Sequence, residues 1–215
     1  MIRVLIISDH PAVRAGLAQV IDSEPGLRAD VADPGPGELP ELHATSADVV
    51  LLDSPLARHD ALDVCHLLKQ LATPRRVALY SDRPREQVGL AAWVAAADAV
   101  IEKTAPVAAL FEQLRIVARG GRVLPSPSAR ALTTAARDLD AAERAVFGMC
   151  VYGVTLDEIS RTLRRDPLEV ETTVRELIRR LQRQPAPAFA LATKPRTSAA
   201  GSEYASPSAS STAAM

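Results

Sequence analysis

Short continuous apolar runs alternate with amphipathic helical patterns over residues 1–122, and this alternation constrains the fold more than any other feature. The strand-like runs are Val4–Ile7, Leu27–Ala32, Asp48–Leu52, Val77–Tyr80 and Ala99–Ile101. The helical patterns between them are Pro11–Ser23, Ala61–Leu71, Arg85–Ala96 and Pro106–Arg119. Strands without polar alternation are buried on both faces, so the pattern predicts an α/β fold with a five-stranded doubly wound parallel sheet.

The rest of the chain is predicted to contain a linker, a small helical domain and a tail. Residues 123–137 are rich in Pro and Ser near their start and are interpreted as a linker. Residues 138–184 show three helical patterns and no strand, which is typical of an all-α domain. Residues 185–215 carry almost no large apolar side chain, so this tail is predicted to be disordered.

The helical domain carries clear start signals for its helices. Asp140 with Glu143, and Thr155 with Glu158, have the spacing of capping boxes, and Pro167 suits the first turn of a third helix. A short second helix, a tight turn and a longer third helix form a helix-turn-helix. Its buried stripe is predicted at Val170, Val174, Leu177, Ile178 and Leu181.

Four chemically useful residues follow the predicted strands of the first domain. Asp9, Asp53, Ser81 and Lys103 each stand at a strand end, and ligands of doubly wound sheets bind outside the carboxyl ends of the strands. The set suits phosphoryl transfer to a carboxylate. Asp53 would be the nucleophile and would hold Mg²⁺ together with Asp9, while Ser81 and Lys103 would contact the phosphoryl oxygens.

These residues and their spacing resemble the receiver domain of two-component response regulators. The resemblance rests on Ile-Ile-Ser-Asp-His-Pro after the first strand, on Asp-Val-Val-Leu-Leu-Asp ending at Asp53, and on Ile-Glu-Lys ending at Lys103. It implies a flavodoxin-like sheet, a phosphoacceptor at Asp53 and a histidine kinase as partner.

Three departures from the receiver pattern bear on mechanism. Ser8 stands where receivers carry a second acid, and fewer carboxylates weaken Mg²⁺ binding. The loop Leu56–Ala61 lacks the usual Pro and Gly, and Val100 replaces an aromatic residue that acts as a switch. Two interpretations therefore stay open: control by phosphorylation of Asp53, and constitutive, ligand-driven or dimerisation-only use of the receiver.

The second domain resembles the LuxR-type output domain at Leu139, Glu143-Arg144, Val146, Gly153, Glu158-Ile159, Leu163, Val170, Val174 and Leu181. The resemblance implies binding to promoter DNA as a homodimer. Arg175 can pair with guanine, Thr172 can meet a thymine methyl, and Glu171 can accept from cytosine. The residues predicted to contact DNA are Arg164, Arg165, Glu171, Thr172, Arg175, Arg179 and Arg180. Arginines among them that do not read bases would contact phosphates.

The charge of the second domain argues against strong DNA binding. Residues 138–184 carry eight Arg against nine Asp or Glu, whereas DNA affinity draws on neutralised phosphates. Glu169 and Glu171 also begin the third helix where the family has Thr-Val-Lys. A protein-interaction module with weakened DNA binding therefore remains an alternative to a DNA-binding regulator.

Other sequence features argue against a disulfide-rich, a membrane-spanning or a secreted protein. Two cysteines, Cys65 and Cys150, are too few for a disulfide framework, and both fall on apolar helix faces. The apolar stretch Leu90–Ala97 is far shorter than the roughly 20 residues of a membrane span, and the N-terminus lacks a signal-peptide pattern. We therefore expect a cytoplasmic regulator that is neither an enzyme nor membrane-bound.

The four histidines show no spacing that suggests a metal site. His10 is interpreted as a rim residue of the strand-end pocket. His43, His59 and His66 are interpreted as surface or loop residues, because none has a partner at a useful distance along the chain.

Overall fold

The computed structural model describes residues 1–35, 46–71, 73 and 75–183 of the chain. They form a parallel sheet of five strands in the order β2-β1-β3-β4-β5. The strands are β1 (Ile2–Ile7), β2 (Leu27–Ala32), β3 (Val49–Ser54), β4 (Val77–Ser81) and β5 (Ala99–Glu102). The predicted fold class is confirmed. The tail 185–215, which is predicted to be disordered, lies outside the described residues.

Eight helices occur in the part of the chain that the structure describes. Four follow strands, and four succeed one another after the sheet. They are α1 (Pro11–Asp22), α2 (Ala61–Lys69), α3 (Arg85–Val94), α4 (Val107–Ala118), α5 (Ala129–Ala136), α6 (Ala141–Val151), α7 (Leu156–Leu163) and α8 (Pro167–Arg183). Each helix stands where its periodicity predicted it, except α5.

The sheet is central because its middle strands are apolar on both faces. Val49, Val50, Leu51 and Leu52 of β3 are all buried, and they divide alternately between two apolar clusters on opposite sides of the sheet. α1 and α4 contribute to one cluster, and α2 and α3 to the other. The chain order reverses between β1 and β3, which places the crevice for a ligand at their carboxyl ends.

The segment predicted as a linker contains a helix and adheres to the sheet. The Ser128 hydroxyl caps α5 by accepting a hydrogen bond from the amide of Ala131 at 3.1 Å. Val123 continues the pairing along β5, since its amide donates to the Asp98 carbonyl at 2.7 Å and its carbonyl accepts from Val100. The prediction missed α5 because its fully buried residues, Ala131 and Ala135, are both small alanines.

The C-terminal helices follow the predicted start signals. Asp140 with Glu143 and Thr155 with Glu158 form the two capping boxes, and α8 begins at Pro167. Arg164, in the left-handed region at φ 52°, ends α7 and opens the turn into α8. The buried stripe of α8 contains all five predicted residues and also Thr173.

The C-terminal helices pack against the sheet domain rather than standing apart from it. The contact is most extensive between α3 and α8, with further packing of α6 on α3 and of α8 on α2. Apolar residues of both parts form one continuous buried cluster. None of the described helices has the length and apolarity needed to cross a membrane.

Candidate functional site

The four predicted strand-end residues lie at one edge of the sheet. Asp53 belongs to β3 and Ser81 ends β4, while Asp9 and Lys103 follow β1 and β5. Asp53 is 1% exposed, so its carboxylate lies below the surface of this edge. A buried carboxylate needs charged or hydrogen-bonding partners, because burial penalises its ionised form.

Those partners are Lys103 and Ser8. Lys103 Nζ lies 2.6 Å from Asp53 Oδ1, and the Ser8 hydroxyl donates to Asp53 Oδ2 at 2.6 Å. His10 Nδ1 is 3.8 Å from Asp53 Oδ2 and 2.9 Å from Asp9 Oδ1. The edge therefore holds two acids that lie in contact with one lysine and one imidazole.

Ser81 lies at the same edge but is turned to its own loop. Its hydroxyl oxygen accepts a hydrogen bond from the amide of Arg83 at 3.0 Å and also lies 3.1 Å from the Arg83 carbonyl. Ser81 is 1% exposed. The hydroxyl would have to leave this turn before it could meet a group bound to Asp53.

The residues at this edge do not complete a Mg²⁺ site. Asp9 Oδ2 accepts from the amide of Ala57 and Oδ1 faces His10, while both Asp53 oxygens face Lys103 and Ser8. Within the described ranges, no three His, Cys, Asp or Glu side chains are grouped to hold a metal ion. Mg²⁺ prefers several free oxygen ligands, whereas here the Oδ2 atoms of Asp9 and Asp53 accept hydrogen bonds and their Oδ1 atoms lie against His10 and Lys103 without a hydrogen bond.

Most of the arginines predicted to contact DNA are paired with a carboxylate of the protein. Glu171 and Arg175 pair with each other at 2.6 Å along α8, and Arg180 pairs with Glu143 of α6 at 3.0 Å. Thr172 is exposed, and its hydroxyl donates to the Leu168 carbonyl. The others are Arg164 in the α7–α8 turn, Arg165 beside Glu169 at 3.5 Å, and Arg179.

One line of α8 faces α2 of the sheet domain. Arg179 Nη2 lies 3.6 Å from Asp63 Oδ2, and the side-chain amide of Gln182 donates to Asp60 Oδ1 at 2.9 Å. Burial, reinforced by the Asp60 carboxylate, raises the pKa of Asp63, and the guanidinium groups of Arg179 and Arg175 oppose this. Two receiver-side carboxylates thus occupy the side of α8 that carries predicted DNA contacts.

His66 of α2 is buried in this contact, so its interpretation as a surface residue is wrong. It is 2% exposed, and neither ring nitrogen has a hydrogen-bond partner among the described residues. Burial lowers the pKa of His66 from 6.5 to about 4, with Glu171 opposing the shift and Arg175 adding to it. The imidazole is therefore neutral at physiological pH.

This buried imidazole predicts a pH dependence of stability. Since the folded pKa lies below the unfolded one, the unfolded chain binds the proton first as the pH falls below 6.5. Stability present above pH 6.5 is lost towards pH 4, by roughly 3 kcal/mol for this group. Urea unfolding at pH 7.5 and 4.5 should show a smaller loss in His66→Gln than in the wild type.

His59→Gln is the matched control, because His59 lies in a loop where its Nε2 contacts the Gly35 carbonyl at 2.8 Å. That variant should keep the wild-type pH dependence. A His66→Gln protein that loses as much stability as the wild type would contradict the burial of His66.

Sequence patterns missed Asp60, Asp63 and His66 as members of the α8 contact. Asp60 reads as an ordinary helix cap, and its side chain does accept from the amides of Leu62 and Asp63. Asp63, His66 and Lys69 are spaced three residues apart and share one face of α2, so the pattern is that of an ordinary solvated face and gives no signal for the α8 contact.

Comparison with known proteins gives the affiliation of the first domain. Residues 4–115 match the sequence family described as "Response regulator receiver domain". The nitrate/nitrite response regulator protein NarP of Escherichia coli K12 is 24% identical over 192 residues, which covers 83% of this chain and 88% of NarP. The similarity to NarP therefore spans both parts of the chain.

Two further relatives show how the parts recur. A protein-glutamate methylesterase/protein-glutamine glutaminase of Syntrophus aciditrophicus is 31% identical over 148 residues, or 68% of this chain but 37% of that protein. The structure of RcsB from Salmonella enterica bound to promoter P1flhDC superposes with a TM-score of 0.53 at 16% identity. The superposition covers 84% of this chain and 92% of the RcsB chain, and it shows that the two proteins share a fold.

Proposed function

The chain belongs to the response regulator receiver family, and from this premise we propose that it is a transcriptional regulator that binds double-stranded promoter DNA through α8. The supporting observation is the pair α7 and α8, joined by the Arg164 turn and carrying arginines along α8 behind a receiver sheet. The proposed role is binding rather than catalysis, in the cytoplasm and as a homodimer.

In this proposal α8 enters the major groove. Arg175 and Thr172 read base edges, Glu171 accepts from a cytosine amino group, and Arg179 and Arg180 reach phosphates. Arg164 and Arg165 add phosphate contacts from the turn. Each of these arginines except Arg164 is engaged by a carboxylate of the protein, and each such pair has to open before DNA is bound.

In the structure α8 packs against α2 and α3, and we call this the closed arrangement. It is proposed to be the form with low DNA affinity. Asp63 and Asp60 hold Arg179 and Gln182 where DNA phosphates would otherwise lie. Separation of α8 from α2 and α3 would release this side of the helix. The apparent DNA affinity is then reduced by the fraction of molecules that are closed.

The test of the function is equilibrium binding to labelled DNA from beside the gene for this protein. Fluorescence anisotropy at two salt concentrations should show saturable binding that weakens with salt, because phosphate contacts release counterions. A scrambled fragment of equal length is the control. Equal binding to both fragments would contradict sequence-specific regulation.

We also propose Asp53 as the phosphoacceptor, with Ser81 and Lys103 contacting the phosphoryl group and a histidine kinase as donor. An Asp53 oxygen would attack phosphorus, and the donor group would leave with the electrons of the broken bond. Receivers generally bind Mg²⁺ at this site, and Asp9 and Asp53 would supply the carboxylates that hold it here. Ser8, which donates to Asp53, makes that site incomplete.

Replacing Ser8 by aspartate is therefore expected to restore divalent-cation binding. The added carboxylate should tighten the Kd for Mg²⁺, measured by calorimetry, by about tenfold. Intact mass after acetyl phosphate and Mg²⁺ should show slow addition of one phosphoryl group to the wild type and faster addition to Ser8→Asp.

Ser23→Asp is the matched control, because Ser23 is exposed and lies after α1, away from the pocket. It adds the same charge and should leave Mg²⁺ affinity unchanged. Phosphoryl addition that persists in Asp53→Asn would overturn the assignment of Asp53.

A second candidate function is a protein-interaction module, favoured by the acids of α8. Glu171 takes up Arg175 at 2.6 Å, and residues 138–184 carry no positive excess. In that case α8 would bind a basic surface of another protein. Phosphorylation-independent control, ligand-responsive or constitutive, is a separate alternative that rests on the incomplete pocket around Asp53. Glu171→Gln separates the interaction module from the DNA-binding regulator, because it should change DNA affinity, in either direction, only if α8 contacts DNA.

A further inference from the structure

A cavity of about 170 Å³ lies between the receiver and the C-terminal helices. One wall comes from the ends of α2 and α3, with His66, Lys69 and Trp93. The opposite wall comes from Cys150 of α6 and from residues 153–156 at the start of α7, and Arg122 closes one side. Both domains therefore contribute to one partly open cavity.

The cavity contains a polar group without a partner. His66 is 2% exposed and both of its ring nitrogens lack hydrogen bonds among the described residues. A buried polar group costs free energy unless something satisfies it. Both ring nitrogens are covered by neighbouring protein atoms, so the imidazole would have to turn towards the cavity before its donor and acceptor could meet an occupant.

The charge of the lining favours an anion. Lys69 is already paired with Asp98 at 2.8 Å. Arg122 has no carboxylate within ion-pair distance in the part of the chain that the structure describes, and its guanidinium lies 5.6 Å from the centre of the Trp93 ring. No acidic residue lines the cavity.

Most of the remaining lining is apolar and includes Trp93, Val94 and Leu156, while Gln70 and Thr155 are uncharged polar residues. A cavity of about 150 Å³ accepts benzene, so this one has room for a single ring with a small substituent. We propose that the cavity binds a small aromatic carboxylate, whose acid group pairs with Arg122 and whose ring lies among Trp93, Val94 and Leu156.

Such a ligand holds the two domains together, because its site exists only when both walls are in place. A ligand can shift an equilibrium only by its preference for one state, and here it binds the closed state. Any effect on DNA binding rests on the proposed function. Binding to the cavity does not, so the two can fail separately.

The test uses the full chain and the indole N–H signal of Trp93, which is the only tryptophan. Its Nε1 donates to the Pro125 carbonyl at 2.9 Å, beside the cavity. Titration with sodium 4-hydroxybenzoate should move this signal saturably, with a Kd below about 1 mM. The uncharged 4-hydroxybenzamide should bind at least about tenfold more weakly.

Arg122→Gln should raise the Kd for 4-hydroxybenzoate by about tenfold, because it removes a charged hydrogen-bond donor from the exposed rim of the cavity. Arg119→Gln, also exposed but outside the cavity, should bind as the wild type does. The proposal is overturned if the shift of the Trp93 signal does not saturate, or if 4-hydroxybenzamide binds as tightly as 4-hydroxybenzoate. It is also overturned if Arg122→Gln and Arg119→Gln lose the same affinity for 4-hydroxybenzoate. The amide comparison needs no variant and stands if Arg122→Gln fails to fold.

Discussion

Replacement of Arg175 by alanine is expected to weaken binding to the specific promoter fragment by about 10- to 100-fold. Arg175 is the side chain of α8 proposed to pair with guanine, and a good bidentate pair discriminates by about 1–3 kcal/mol. Binding to a scrambled fragment should change much less. The loss of preference, measured by anisotropy on both fragments, is the expected signature of base readout.

Arg28→Ala is the matched control for this variant. Arg28 lies on the edge strand β2, far along the sheet from α2 and α3, and its side chain is 63% exposed beside Asp22. The variant removes the same charge and should change the affinity for neither the specific nor the scrambled DNA fragment. If Arg175→Ala and Arg28→Ala both bind like the wild type, α8 does not read DNA through Arg175.

Reversal of charge at Asp63 is expected to raise DNA affinity by about tenfold, since coupling between such states is typically 1–3 kcal/mol. An arginine at position 63 would face Arg179 and Arg175 and repel the side of α8 that now rests on α2. The closed arrangement would lose population, and more molecules would present α8 to DNA. Anisotropy with the specific fragment measures the gain.

Asp82→Arg controls for the general effect of added positive charge. Asp82 is exposed, follows β4 and belongs to the same domain, but takes no part in the α8 contact. It should raise affinity by less than about threefold, as a distant, screened charge does. Equal gains in both variants would mean that α2 does not restrain α8.

The fold was predictable from the sequence because its signals are local. The apolar runs and helical periods give the order of elements, and the capping boxes at Asp140 and Thr155 mark helix starts that the structure confirms. α5 was missed because small alanines give little apolar contrast, although Ser128 caps it.

The strand-end residues were also predictable, because carboxyl ends of parallel strands meet at one edge. Asp53, Lys103 and Asp9 do lie together there. Their partners were harder to predict. The hydrogen bond from Ser8 to Asp53, and the turn that holds Ser81 on Arg83, depend on side-chain directions that no spacing specifies.

The docking of the two domains lay beyond sequence reasoning, because it depends on contacts distant along the chain. His66 and Arg175 are more than 100 residues apart, yet burial of His66 depends on α8. The domain's lack of positive charge also has a structural counterpart, since Glu143, Glu169 and Glu171 each pair with an arginine predicted to contact DNA.

The central claim is that this response regulator binds specific DNA through α8 and restrains it by closure onto α2. The most direct test is the affinity of the wild type and of Asp63→Arg for fragments from beside the gene and for scrambled DNA. We predict tighter binding to at least one genomic fragment, strengthened by Asp63→Arg. Failure of both proteins to prefer any genomic fragment over scrambled DNA would contradict the account.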